Sequence, residues 1–262
     1  MKTRILIPAL LLIFLLTSLS ANAENPQMND ESFLMAALWQ TTSAEYRALC
    51  YQAYNIARVN LEKDMQIKTE KKRAILVDMD ETIIDNSLYN AVRVVREQEY
   101  PKEFYKWIDS SKADAVAGAM DFLNFADRNN YEIFYITNRR MESYDISLKQ
   151  LQTMNFPQAD SLHLLLKETS SNKETRRQMI AGKYHIALLL GDNCDDFSEE
   201  FYRKSIEERK NAVNFLKDEF GTKFIILPNP IHGAWKKAIY EYKNGLSTKE
   251  KTKMKLEKLK IY

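Results

Sequence analysis

Glycine is scarce in this chain. Its 262 residues include six (Gly118, Gly182, Gly191, Gly221, Gly233 and Gly245), and the first 117 residues have none. No two stand at the spacing of G-x-G-x-x-G or G-x-x-x-x-G-K-[ST], so a glycine-rich phosphate cradle is excluded. Cysteine is scarcer still: Cys50 and Cys194 cannot form a disulfide framework, and whether they pair is left open. The three histidines, His163, His185 and His232, lie far apart, with no H-E-x-x-H and no cysteine cluster to make a zinc site. Nor is there an excess of one charge. Of 38 basic and 36 acidic residues, Lys2 and Arg4 fall in the first 23, which hold no acid, so the remainder is balanced at 36 each. Net charge therefore argues for neither a nucleic-acid polymer nor a membrane surface as partner.

What is present is the balance of a folded protein, 45% hydrophobic and 28% charged, in a chain long enough for a sizeable core. Residues 1–23 read as an export signal: a basic start, the apolar stretch Ile5 to Leu16, and the small-residue site Ala21-Asn22-Ala23 before Glu24. The apolar run is shorter than the ~20 residues of a spanning helix, which disfavours an uncleaved anchor. No cysteine near the cleavage site could carry a lipid. The expected location is periplasmic or at the cell surface; attachment to a membrane and oligomeric state stay open, a dimer being plausible.

Residues 24–262 read as one domain. A helical pattern covers 31–68, where Thr42-x-x-Glu45 resembles a capping box. Five short apolar runs follow: Ala74–Val77, Ile133–Ile136, Leu162–Leu166, Ile186–Leu190 and Phe224–Leu227. Helical segments Val116–Asn129, Glu142–Met154, Lys173–Ala181 and about Phe197–Glu219 lie between them. Alternation of this kind predicts an α/β fold, an open parallel sheet with helices on both faces and a core over about 70–245. The stretches 31–68 and 85–115 are expected to form a small, mostly helical cap, and the lysine-rich 247–262 a solvated tail.

In such folds the ligand site gathers at the carboxyl ends of the strands. The residues there are Asp78-Met79-Asp80-Glu81-Thr82, then Thr137-Asn138-Arg139, then Lys167 and Lys173, then Gly191-Asp192-Asn193-Cys194-Asp195-Asp196. Crowded carboxylates repel unless a cation neutralises them. Oxygen donors without His or Cys point to a hard cation, magnesium above calcium. A cation with Lys and Thr is a kit for binding a phosphoryl group.

These stretches resemble the haloacid dehalogenase superfamily, whose signature is D-x-D-x-T, and more closely the bacterial class C acid phosphatases, which include outer-membrane lipoprotein 5′-nucleotidases. Ile75 to Ser87, Tyr135 to Arg139, Lys173 to Arg176, Gly191 to Phe197 and Pro228-Asn-Pro-Ile-His-Gly-Ala-Trp235 stand in the family's order, within a resemblance that covers about 30–245. The resemblance implies a haloacid-dehalogenase-like fold and an exported, magnesium-dependent hydrolase of small phosphomonoesters, nucleoside monophosphates above all. It implies Asp78 as the nucleophile, Asp80 as the acid and base, Thr137 and Lys173 as phosphate-binding catalytic residues, and Mg2+ held by Asp78, Asp192 and the Asp80 carbonyl with Asp196 in support. Asn138, Arg139, Tyr89, Trp107 and His232 are the candidates to touch substrate. His232 departs from the pattern, since relatives usually carry tyrosine in P-N-P-x-Y-G. Other readings are a phosphotransferase on the same scaffold, a signalling receiver domain, which the export signal and Asp80 disfavour, and a non-catalytic surface binding protein.

Overall fold

The computed structural model describes residues 31–96 and 103–261; the export-signal expectation for 1–23 lies outside them. In chain order the elements are α1 (Glu31–Thr42), α2 (Ala44–Asp64), β1 (Arg73–Val77), β2 (Ile84–Asp85), α3 (Ser87–Val95), α4 (Phe104–Ser110), β3 (Asp114–Ala115), α5 (Ala119–Arg128), β4 (Glu132–Arg140), α6 (Tyr144–Thr153), β5 (Leu164–Lys167), α7 (Glu174–Ala181), β6 (His185–Gly191), α8 (Ile206–Phe215), β7 (Phe224–Ile226), α9 (Ala234–Ile239) and α10 (Thr248–Lys258). The five apolar runs form one parallel sheet in the order β5-β4-β1-β6-β7.

The runs are continuously apolar because both sheet faces are buried. Ile75, Val77, Ile133, Tyr135, Leu188 and Leu190 pack on one side with Ala53, Ala57 and Leu61 of α2 and Phe122 and Leu123 of α5. Ala74, Leu76, Phe134, Ile136 and Leu189 pack on the other with Ile180 of α7 and Phe197. Each large side chain so enclosed contributes about 1.5–3 kcal/mol of transfer free energy. α2 thus lies against the sheet and α5, whereas α1 lies beside α3. The segment 85–115 supplies α3, α4 and the small antiparallel pair β2–β3, with Ile84 opposite Ala115 and Asp85 opposite Asp114.

Two helical expectations are corrected. The pattern over 31–68 breaks at Ser43, which caps α2 by accepting from the Tyr46 amide at 3.1 Å; the Thr42 hydroxyl instead donates back to the Leu38 carbonyl at 2.6 Å. The span 197–219 is α-helical only over α8, which opens on a Ser205–Glu208 capping box, with single 3-10 turns at Glu199–Phe201 before it and Lys217–Glu219 after it. Arg209 ties the segment before α8 to the loop after β6, donating to the Phe201 carbonyl and to the Asp195 and Asn193 side chains.

β1 lies at the centre, and the chain builds outward first to β4 and β5, then to β6 and β7. That reversal leaves a crevice at the carboxyl end of β1, where ligands of open α/β sheets bind. Among the described residues no helix is long and apolar enough to cross a membrane.

Candidate active site

Asp78 leaves β1 with its amide bonded to the Leu190 carbonyl at 2.9 Å, which fixes it beside the end of β6. The Lys173 ammonium donates to Asp78 Oδ1 and lies 2.7 Å from Asp196 Oδ1, with only 3% of its side chain exposed. Asp78, Asp192 and Asp196 each present an oxygen within 4.8 Å of the others. Asp192 is oriented from outside the cluster. Asn229 Nδ2 donates to its Oδ2 at 2.7 Å, and the same asparagine's Oδ1 accepts from the amides of Ile231 and His232. The Thr82 hydroxyl lies within 3.3 Å of Asp192 and 3.4 Å of Asp78.

The electrostatics of this group call for a cation. Burial raises Asp78 to about 6, with Asp196 and Asp80 adding to the rise and Lys173 opposing it. Burial together with Asp196 and Asp78 lifts Asp192 well above the ordinary carboxylate range. Burial alone would lower Lys173, but Asp196 and Asp78 hold it above its usual value. One lysine does not neutralise three crowded carboxylates, and the donors are all oxygen, so the set fits a hard divalent ion. Asp196 is already engaged on both oxygens, by Lys173 and by the Asn193 amide at 3.1 Å. The glycine beside this cluster is compulsory: a Cβ on Gly191 would stand 2.5 Å from Asp196 Oδ2 and 2.6 Å from its Cβ.

Asp80 faces away from the cluster. Arg139 grips it with two parallel bonds, Nη2 to Oδ1 at 2.7 Å and Nε to Oδ2 at 2.9 Å, and Asn86 Nδ2 adds a third at 2.9 Å. Burial would raise the Asp80 carboxyl, but Arg139 and then Asn86 outweigh it and hold it below the usual range. Arg139 is itself fixed by Ser147 and Gln150 of α6 and is 5% exposed. Arg139 lines the cavity, as expected of a substrate-side residue, and its guanidinium is engaged with Asp80. Trp107, also expected to touch substrate, is corrected. It does not line the cavity; its indole N–H donates to Asn86 Oδ1 at 2.8 Å, which makes it a support two bonds behind Asp80.

A cavity of about 430 Å³ opens above these groups, and Asp78, Asp80, Thr137, Asn138, Lys173, Asp192, Tyr89 and His232 all line it. The Thr137 oxygen accepts from the Arg139 amide at 3.1 Å and so keeps its own proton to donate. Asn138 is held by Arg176, whose Nη2 donates to its Oδ1 at 2.8 Å. β4 and β5 pair Ile136 with Leu165 and next Arg140 with Lys167, so Thr137, Asn138 and Arg139 oppose Leu166 alone. This bulge turns the Thr137 and Arg139 side chains into the site. Tyr89 is buried against Phe104 and Trp107. His232 is half exposed, and its Nε2 lies 3.0 Å from Oε2 of Glu81, a buried carboxylate whose backbone is left-handed at φ 59°. Burial would lower His232, but Glu81 and then Asp192 and Asp80 raise it to about 9. Both cysteines are free thiols, Cys50 in the core and Cys194 in the loop after β6.

Sequence reasoning placed Glu81, Thr82, Asn86 and Asn229 within its motifs without giving them a role, and did not single out Phe104 or Tyr105. Asn229 had a signal, its place in the Pro-rich turn after β7; Phe104 and Tyr105, which line the cavity wall, had none beyond their aromatic type.

A parallel sheet with carboxylates, a hydroxyl and a lysine converging at its central strand ends defines a phosphoryl-transfer enzyme. Residues 17–235 match the family described as HAD superfamily, subfamily IIIB (acid phosphatase), and the chain belongs to it. It is similar to the class C acid phosphatase from Bacillus anthracis, at 38% identity and a TM-score of 0.86 over 90% of this chain and 99% of that one, in a structure with tungstate bound. A second structure of that phosphatase gives 39% identity with the same coverage and TM-score. The protein is an acid phosphatase, a phosphoric monoester hydrolase.

Proposed function

We propose that the chain is an exported, magnesium-dependent phosphatase of small phosphomonoesters, nucleoside monophosphates among them, working through an aspartyl phosphate. The observation that carries this reading is the lysine-bridged cluster of Asp78, Asp192 and Asp196 beside an aspartate, Asp80, held apart from it. A divalent cation held by Asp78, Asp192 and the Asp80 carbonyl, with Asp196 in support, would neutralise the carboxylates and the phosphate oxygens.

The roles follow from what each group touches. Asp78 attacks phosphorus with a carboxylate oxygen; the P–O bond to the alcohol breaks, and Asp80 gives that oxygen its proton. Water then attacks the phosphoaspartate, Asp80 takes the water's proton, and phosphate leaves with Asp78 restored. Thr137 donates to a phosphoryl oxygen, and Lys173 holds Asp78 aimed while offsetting charge. The grip of Arg139 keeps Asp80 ionised, which suits the second step; the first needs a proton on Asp80, which acidic conditions supply. The aromatic wall of Tyr89, Phe104 and Tyr105 supports an apolar or base-bearing alcohol, and the basic start and small-residue site of 1–23 support export with Glu24 as the mature N-terminus. Phosphate transfer to another alcohol uses the same intermediate.

The test is hydrolysis of p-nitrophenyl phosphate with added magnesium, with chelator, and by Asp78→Asn. We expect loss of at least about 10³-fold in the variant and a magnesium-reversible loss with chelator. Equal rates in all three would overturn the reading.

A further inference from the structure

The residues that close the bulge of β4 have no part in the chemistry above. Arg140 and Lys167 face each other across β4 and β5, both line the cavity, and Arg140 is exposed while Lys167 is half-buried. Like charges on directly paired positions repel, and an anion bound between or beside them would offset that repulsion. Neither side chain has a hydrogen bond or ion pair among the described residues. Glu168, the adjoining carboxylate in the chain, is exposed and does not line the cavity. A third cation, Lys237 of α9, lines the same space. The bulge is what creates the pair: without the two extra residues on β4, Asn138 and not Arg140 would stand opposite Lys167.

We propose that Arg140 and Lys167 form a subsite for a second anionic group, so that the enzyme favours phosphomonoesters bearing another phosphate on the alcohol they release. This rests on the phosphatase reading. Arg140 follows Thr137 by three residues, a backbone span of at most about 10 Å at strand rise. A phosphoryl group held at Thr137 and a second phosphate at Arg140 are therefore bridged by an alcohol of sugar or short-diol length. On the floor of the cavity the two cations, Lys173 and Arg139, are already paired with carboxylates, so the rim pair is also where an approaching dianion meets unpaired positive charge.

The experiment compares hexyl phosphate with 1,6-hexanediol bisphosphate, which differ only in the distal phosphate, at fixed pH and low ionic strength. For the native enzyme kcat/KM should favour the bisphosphate by roughly tenfold beyond the statistical factor of two, the scale of a charge-assisted contact pair. Arg140→Ala with Lys167→Ala should bring that ratio close to two, Arg140→Glu should push it below, and added salt should compress it. Lys217→Ala, at the opposite end of the sheet, should keep the native ratio. The isosteric pair Arg140→Gln with Lys167→Gln carries the same expectation should the alanine pair fail to fold. A native ratio near two, or one that survives both double variants, overturns the subsite while leaving the phosphatase reading intact. Failure to hydrolyse hexyl phosphate at all overturns the parent reading and the subsite with it.

Discussion

The floor of the cavity and its cap-side wall are built on different principles. On the floor the charged groups are tied to partners: Asp78 and Asp196 share Lys173, Asp192 takes Asn229, and Asp80 takes Arg139 and Asn86. Each tie runs from one strand end to another or to the helix that follows, so the geometry is set by the most buried part of the fold. On the wall the contributors are Tyr89, Phe104 and Tyr105, of which Tyr89 and Phe104 meet ring against ring in a small apolar cluster with Ile108. Such a wall can shift with its ligand, whereas a floor that must place oxygens around phosphorus to within a fraction of an ångström cannot. Variants on the floor should therefore act on kcat, and variants on the wall on KM.

The largest effect should come from Lys173→Met. It strips the cation that lies between Asp78 and Asp196 and leaves the two carboxylates facing each other. We expect kcat/KM for p-nitrophenyl phosphate to fall roughly 10²–10³-fold, the scale of losing one preorganised electrostatic contact. The loss should sit in kcat, and thermal unfolding should show a stability deficit of about 3 kcal/mol that added magnesium partly restores. A variant with raised KM and native kcat would break the comparison.

Trp107 lies on the boundary between the two regions. It belongs to a cap helix, yet through Asn86 it supports Asp80. Trp107→Phe keeps the ring and removes the N–H, leaving the carbonyl oxygen of a buried asparagine without its donor, a cost of about 1–3 kcal/mol. Because the indole does not line the cavity, KM should change by less than about twofold while kcat falls. The reverse pattern, KM raised at native kcat, would reinstate Trp107 as a substrate contact and move it to the wall.

The same division explains what could be read without coordinates. Asp78, Thr137, Lys173 and Asp192 follow apolar runs, and a parallel sheet brings the residues after its strands to one end whatever their side chains. The partners were not legible, because they depend on orientation. Arg139 looks like an anion binder by type; only the bulge that opposes Thr137, Asn138 and Arg139 to Leu166 aims it at Asp80. The Trp107 and Asn86 contact spans 21 residues and the His232 and Glu81 contact 151, and no local spacing announces either. The break at Ser43 escaped for a different reason: Thr42 and Ser43 are adjacent hydroxyls that can each cap a helix, and it is Ser43 that accepts from the Tyr46 amide while Thr42 donates back into α1.

His232 gives the smallest predicted effect and probes where floor meets wall. Its imidazole sits at the cavity while its partner Glu81 is buried next to Asp80 in the chain. The fold raises its pKa from 6.5 to about 9, so the folded protein binds this proton more tightly than the unfolded chain. The resulting stabilisation is complete below about pH 6.5 and is lost as pH rises through about 9. With the ring half exposed, solvent screening should keep the whole contribution below about 1 kcal/mol. Urea unfolding of the native protein and His232→Gln from pH 5 to 10 should show a stability gap that is constant up to about 6.5 and then narrows as the pH approaches and passes 9. A gap that widens with pH would mean the neutral ring is the form the fold prefers. His232 would then belong with the aromatic wall, offering a flat face to substrate and not a charge to Glu81.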